Sequence, residues 1–149
     1  MKYCEVSKMT DKLQSALCDM QGQLFEMSVA RNLDSATFVR AFMLSDIAKD
    51  LDSTFNYMQW AGKEYIMERI LDELGTELQT GGEVYDLETM YWAGYIYRYW
   101  HYYTGETSKE IYKQAPVKTM RVTFLAYHTM SAEMAIDRLK DSYRQKHLQ

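Results

Sequence analysis

Arg121 and His128 stand seven residues apart, a spacing that places both side chains on nearly the same face of one helix. An arginine so placed could steady a phosphate while the histidine moves a proton, which is the minimum equipment for cleaving a phosphodiester. The same region offers a second use of positive charge. Thr107 to Val122, TSKEIYKQAPVKTMRV, has the layout of a helix-turn-helix: a capped first helix, Ile111 inward, a short turn, Val117 inward, then a second helix. Lys109, Lys113, Lys118 and Arg121 against Glu110 leave a local charge of +3, the sign that phosphates require. Tyr112 stands where tightly crossed helices favour a small residue, and Pro116 replaces the usual turn glycine. Those two departures suit a plain bend between bundle helices.

Two further groupings carry charge. Arg98 and His101 lie in the most unusual stretch of the chain, residues 85–103, where nine of nineteen positions are Tyr or Trp. An arginine among such rings can stack on a planar ligand, or it can anchor to a carboxylate of the fold, with His101 donating to a tyrosine or a backbone carbonyl. Glu64, Glu68 and Asp72 recur every four residues and share one helix face. No matching His or carboxylate set accompanies them, so no metal and no cofactor is expected; a solvated face or a docking strip for a basic partner is. The phosphate-loop, dinucleotide, zinc-protease and serine-hydrolase signatures do not occur in the chain.

The elements that must hold these groups are helical throughout. A first helix is expected from Thr10 as N-cap to Arg31, with Leu13, Leu17, Met20, Leu24 and Met27 as one apolar seam. Ser35 can cap a second helix running to Lys49, with Phe38, Val39, Phe42, Met43 and Ile47 apolar. The polar run 50–56 reads as irregular. A third helix covers Met58 to Leu74, with Ile66, Met67, Ile70, Leu71 and Leu74 on one face and Gly75 as a left-handed cap. Gly81 and Gly82 mark a turn before the aromatic helix, which Asp86 caps and Gly105 ends. In that helix Tyr91, Trp92, Tyr95, Tyr99, Tyr102 and Tyr103 share one broad face, and Tyr97 and Trp100 point away from it. Ala93 and Gly94 would let a neighbouring helix come close.

Thr107 and Glu110 form a capping box for a short helix to Gln114. Pro116 suits the first turn of the next, which lasts to His128. Ser131 caps a last helix to Arg144, with Met134, Ala135, Leu139 and Tyr143 inward. The expected fold is all-α, one compact domain over 1–149 with six or seven helices around the Tyr/Trp-rich one, and residues 1–9 as a loose leading segment.

Composition agrees with a globular chain: 149 residues, 47% hydrophobic and 26% charged, enough to bury a core without disulfides or metal. Cys4 and Cys18 have no metal-ligand spacing, which suggests a reducing compartment. No secretory leader or membrane-length apolar run is visible, so a cytoplasmic location is expected. The net charge of −4 is unevenly spread. Between Glu64 and Glu88 eight acids face one base, and between Arg98 and Arg121 five bases face two acids.

Two resemblances add expectations. The Arg121–His128 spacing resembles the ribonuclease motif of the all-α HEPN families, which implies those two residues as its catalytic pair, although Val122 follows the arginine where those families carry a polar residue. From Asp34 to Leu139 the chain resembles an uncharacterised family of small gut-bacterial proteins. The matching runs are FVRAFMLSDIAKDLD, MQWAGKEYIMERILDELG, YWAGYIYRYWHYYTGETSKEIYK and TMRVTFLAYHTMSAEMAIDRL. That resemblance implies toxin–antitoxin-type gene neighbourhoods and an antitoxin-like role. The leading expectation is therefore a non-enzymatic module that binds a protein partner, possible as a homodimer, through Tyr91, Tyr95, Arg98, Glu64, Glu68 and Asp72. A DNA-binding regulator using Lys109, Lys113, Lys118 and Arg121 is the first alternative. A ribonuclease using Arg121 and His128 is the second.

Overall fold

The structure, a computed structural model, describes residues 2–53 and 61–148, with side chains from residue 12 onward. The described residues form eight helices: α1 Lys2–Ala30, α2 Ser35–Met43, α3 Asp46–Asp52, α4 Lys63–Leu74, α5 Leu87–Thr104, α6 Ser108–Gln114, α7 Val117–Tyr127 and α8 Ala132–His147. The class is all-α, as expected, and extended pairing among these residues is limited to a single bridge between Leu33 and Thr80.

Six or seven helices become eight because one of them divides. The run from Ser35 to Lys49 is not continuous: Ser45 is extended, its hydroxyl donates to the Phe42 carbonyl at 2.6 Å, and it accepts the Ala48 N–H at 3.2 Å. A serine that caps its own downstream helix competes with the ladder that would have carried the upstream helix through it. Asp34, not Ser35, caps α2 by accepting from both the backbone and hydroxyl of Thr37. Its other oxygen accepts the Glu83 N–H at 2.8 Å, tying the start of α2 to the 79–83 loop.

Other ends shift in smaller ways. Thr10 lies within α1 and does not start it. α4 begins at Lys63, and the Met58 end of the expected third helix lies outside the described residues. Gly75 is right-handed at φ −53°, so it caps without the expected left-handed turn. Gly105, at φ 80°, does adopt that turn. Pro116 is the N-cap of α7, one position before its expected place, and α8 runs on past Arg144 to His147. The Thr107–Glu110 capping box and the Ser131 cap are present as expected.

α1 and α5 are the principal pair and run antiparallel, since Gly22 meets Tyr91 while Cys18 lies beside Tyr99 and Tyr102. Gly94 makes this closeness possible. A Cβ on it would stand 2.6 Å from the Gln21 carbonyl oxygen, and the Gln21 amide donates back to the Gly94 carbonyl at 3.0 Å. The seam of α1 is rotated from the expected one. Leu17 and Leu24 are buried, but the stripe continues through Cys18, Gln21, Phe25 and Ser28, with Leu13, Met20 and Met27 only half-buried. Two polar residues in a buried stripe disguise it in a hydrophobicity pattern.

Phe25 centres the aromatic core, meeting Phe38, Phe42 and Tyr97 edge-on at 5.6, 5.7 and 6.1 Å. Those edge-to-face arrangements set the positive rim of one ring on the negative face of the next. In α8, Ala135, Ile136 and Leu139 are buried, whereas Met134, expected inward, is exposed.

Candidate functional site

α5 sorts its polar tips inward and sideways. Arg98 is 1% exposed. Its Nη1 donates to Asp52 Oδ1 at 2.7 Å and its Nε to Gln21 Oε1 at 2.9 Å, joining α5 to α3 and α1. The same carboxylate accepts the Ser108 hydroxyl at 2.8 Å and the Ser108 N–H at 2.7 Å, which satisfies a free donor at the start of α6. His101 Nδ1–H donates to the Glu106 carbonyl at 2.7 Å. Both residues thus serve the fold. Arg98 does anchor to a carboxylate, but one in α3 and not in the acidic helix α4.

A second, half-buried charge lies just beyond the end of α5. Glu106 accepts from Trp100 Nε1 at 3.0 Å, Lys140 Nζ at 2.5 Å and Gln114 Nε2 at 2.5 Å. Burial opposes its ionisation, yet these hydrogen bonds outweigh burial and draw the carboxyl down to about 2. A carboxyl whose folded value lies below its unfolded one stabilises fully above the unfolded value, and that contribution is lost as pH falls through about 2. After allowance for solvent screening it amounts to about 2 kcal/mol at neutral pH. Urea titrations from pH 6 down to 2 should therefore show wild type and Glu106→Gln converging at the acid end. A gap that stays constant across the range would contradict this assignment.

Three tyrosines of α5 form a rail with their hydroxyls engaged by carboxylates, whereas the Tyr102 hydroxyl is buried without a hydrogen-bond partner among the described residues. Tyr91 donates to Asp19 of α1 at 2.5 Å, Tyr99 to Glu133 of α8, and Tyr103 to Asp137 of α8 at 3.1 Å. Burial and the Asp19 carboxylate push the Tyr91 hydroxyl well up, and the Glu133 hydrogen bond does the same for Tyr99. Cys18, fully enclosed beside this rail, is pushed up to about 12 by burial and is no nucleophile at neutral pH.

What α5 offers outward is ring surface, and it does so beside α7. Tyr91, Trp92 and Tyr95 of α5, Phe124 of α7 and its C-cap His128, and Glu26 and Glu88 line an open groove of about 560 Å³. Trp92 meets Phe124 edge-on at 5.8 Å, and Phe124 stacks on His128 at 4.3 Å. His128 Nδ1 lies 2.7 Å from the Phe124 carbonyl; since a carbonyl can only accept, this nitrogen carries the proton and the neutral ring's Nε2 is an acceptor.

α7 forms the crest of the surface. It turns Val117 and Met120 inward, and Val122 and Leu125 stand 82% and 81% exposed on its outer side. Ala126, also exposed, stands beside Leu125 near the end of the helix. On the flank away from the aromatic groove, Lys118 of α7 and Lys146 of α8 border a second, smaller depression. An apolar ridge therefore runs between an acidic, aromatic groove and a basic one.

The sequence-named residues fall in separate places. Tyr91 and Tyr95 border the groove, but Arg98 is turned into the core. Glu64, Glu68 and Asp72 are exposed on α4, apart from that groove. Among the basic residues, Lys109, Lys113 and Lys118 are exposed, while Arg121 pairs with Glu83 at 2.6 Å and lies over the Tyr85 ring at 4.5 Å. Arg121 of α7 and His128, which caps the end of that helix, face different neighbours: Glu83 and Tyr85 for the first, Phe124 for the second.

Sequence reasoning missed Asp52, Glu106 and the Val122–Leu125 ridge. Asp52 sat in a stretch read as irregular, and nothing local marks a carboxylate whose partner is 46 residues away. The i, i+3 spacing of Val122 and Leu125 was visible, but equally apolar neighbours at Val117, Met120 and Phe124 obscured which side of α7 faced the core. Among the described residues no group of three or more His, Cys, Asp or Glu side chains is arranged to hold a metal, and no helix is long and apolar enough to cross a membrane. No family model, curated protein or solved structure matches this chain.

Proposed function

We propose that this protein is a non-enzymatic, antitoxin-like interaction module that binds and occludes a protein partner with the α7 ridge and its flanking grooves. The observation that carries this reading is the exposure of Val122 and Leu125, more than four-fifths each, on a helix whose other side is fixed in the core. Two large aliphatic side chains presented side by side next to half-buried Tyr and Trp rings make the kind of apolar centre with aromatic anchors that stable interfaces use. The antitoxin-like part rests on the resemblance carried by runs such as YWAGYIYRYWHYYTGETSKEIYK and TMRVTFLAYHTMSAEMAIDRL.

The test is a tagged pull-down from the native host, washed at low and at high salt, with wild type beside Val122→Asp/Leu125→Asp. Those side chains make few contacts in the fold, so the variant should keep its melting temperature. It should lose a stoichiometric polypeptide that survives high salt with the wild type. Retention of that polypeptide by the variant would refute the proposed surface. Nucleic acid recovered only at low salt, with no protein, would replace this reading by the DNA-binding one and direct mutation to Lys118 and Arg121.

A further inference from the structure

The chemistry of the aromatic groove specifies what it takes from a partner. Its walls are π faces: Trp92, Tyr91 and Tyr95 from α5 and Phe124 from α7. Its charged side chains are the carboxylates of Glu26 and Glu88, which only accept, while Nδ1 of His128 is committed to the Phe124 carbonyl. The Tyr91 hydroxyl, which could donate, is already committed to Asp19. No lysine or arginine lines the space. Ring faces attract cations through their negative quadrupole, and planar guanidinium stacks on them while offering a fork of donors to carboxylates. A volume of about 560 Å³ accommodates one long side chain with room at its mouth.

We infer that this groove receives an arginine or lysine side chain of the protein partner, carried on an amphipathic helix whose apolar face lies along Val122 and Leu125. Charge complementarity selects this occupant, because the groove holds two carboxylates and no side-chain cation of its own. The inference rests on the interaction-module reading and narrows it to a basic partner segment.

The experiment measures fluorescence anisotropy of a labelled amphipathic helical peptide built from leucine and arginine, titrated with the full chain. Companion peptides carry glutamate or glutamine in place of arginine. Binding of the arginine peptide alone is expected, and Glu26→Gln/Glu88→Gln should weaken it on the order of tenfold. Glu64→Gln/Glu68→Gln removes the same charge from α4 and should leave binding within about twofold, since remote exposed charges act only through the screened general field. Four results overturn the inference: no binding of the arginine peptide; equal binding of the glutamate peptide; an equal loss from the α4 variant; or self-association of the free chain that the Glu26/Glu88 variant abolishes, which would assign the groove to a second copy. The interaction-module reading is judged separately. If the peptide fails while partner capture still depends on Val122 and Leu125, only the basic character of the partner is lost.

Discussion

Replacing Arg98 by alanine is expected to lower folding stability by about 3–5 kcal/mol, the usual cost of leaving one member of a buried ion pair unmatched. The pair is well built for that outcome. Arg98 is 1% exposed, Asp52 takes one oxygen to it at 2.7 Å, and Asp52 also receives the backbone and hydroxyl of Ser108. Removing the guanidinium strands a carboxylate and frees Gln21, so α1, α3 and α6 all lose a common tie to α5. Arg98→Met with Asp52→Asn should recover at least about half of the loss, because it removes both charges while Asn keeps an acceptor for Ser108. Chemical denaturation of the two variants beside wild type measures this directly. A single Arg98→Ala variant within about 0.5 kcal/mol of wild type would show that the arginine is free for a partner after all.

Gly94→Ala should be the second most damaging single change, costing about 3 kcal/mol through overpacking. Helix propensity alone favours alanine over glycine by about 1 kcal/mol, so the sign of the effect separates the two influences. The new Cβ would lie 2.6 Å from the Gln21 carbonyl oxygen and 2.9 Å from the Phe25 ring. One of those neighbours is backbone of a long helix and cannot step aside. Gly22→Ala meets chiefly the Tyr91 ring, at 2.6 Å, and a side chain can turn. Its cost should be smaller, about 1–2 kcal/mol, and the ordering of the two midpoints in urea is the measurement.

These two sites also show how unevenly the sequence reveals structure. Gly105 and the Thr107–Glu110 box were legible because each acts within a turn of its own position, and Gly94 because a glycine inside a helix marks a close approach wherever the neighbour comes from. The continuous helix drawn through Ser45 was not: a serine's choice between helix interior and cap depends on whether the chain must turn there, and that is decided by packing. The rotated seam of α1 has the same origin, since Gln21 and Ser28 are buried only because Arg98 and a backbone carbonyl satisfy them. Site residues divide along this line as well. Charge and aromaticity made Arg98 the natural candidate for a partner contact, but burial of an arginine is set by a distant aspartate. Of the ridge residues, which carry no chemistry of their own, Val122 drew attention only as an apolar residue where a nuclease motif carries a polar one, and Leu125 drew none.

Amide hydrogen exchange of the protein alone and in its captured complex tests the central claim most directly, because it maps the contact without altering any side chain. Slowed exchange is predicted across α7, Val117–Tyr127, and the first turns of α5 that line the groove, with α4 unchanged. Slowing confined to α4 around Glu64, Glu68 and Asp72, with α7 exchanging as in the free protein, would contradict the account and move the interface to the acidic strip.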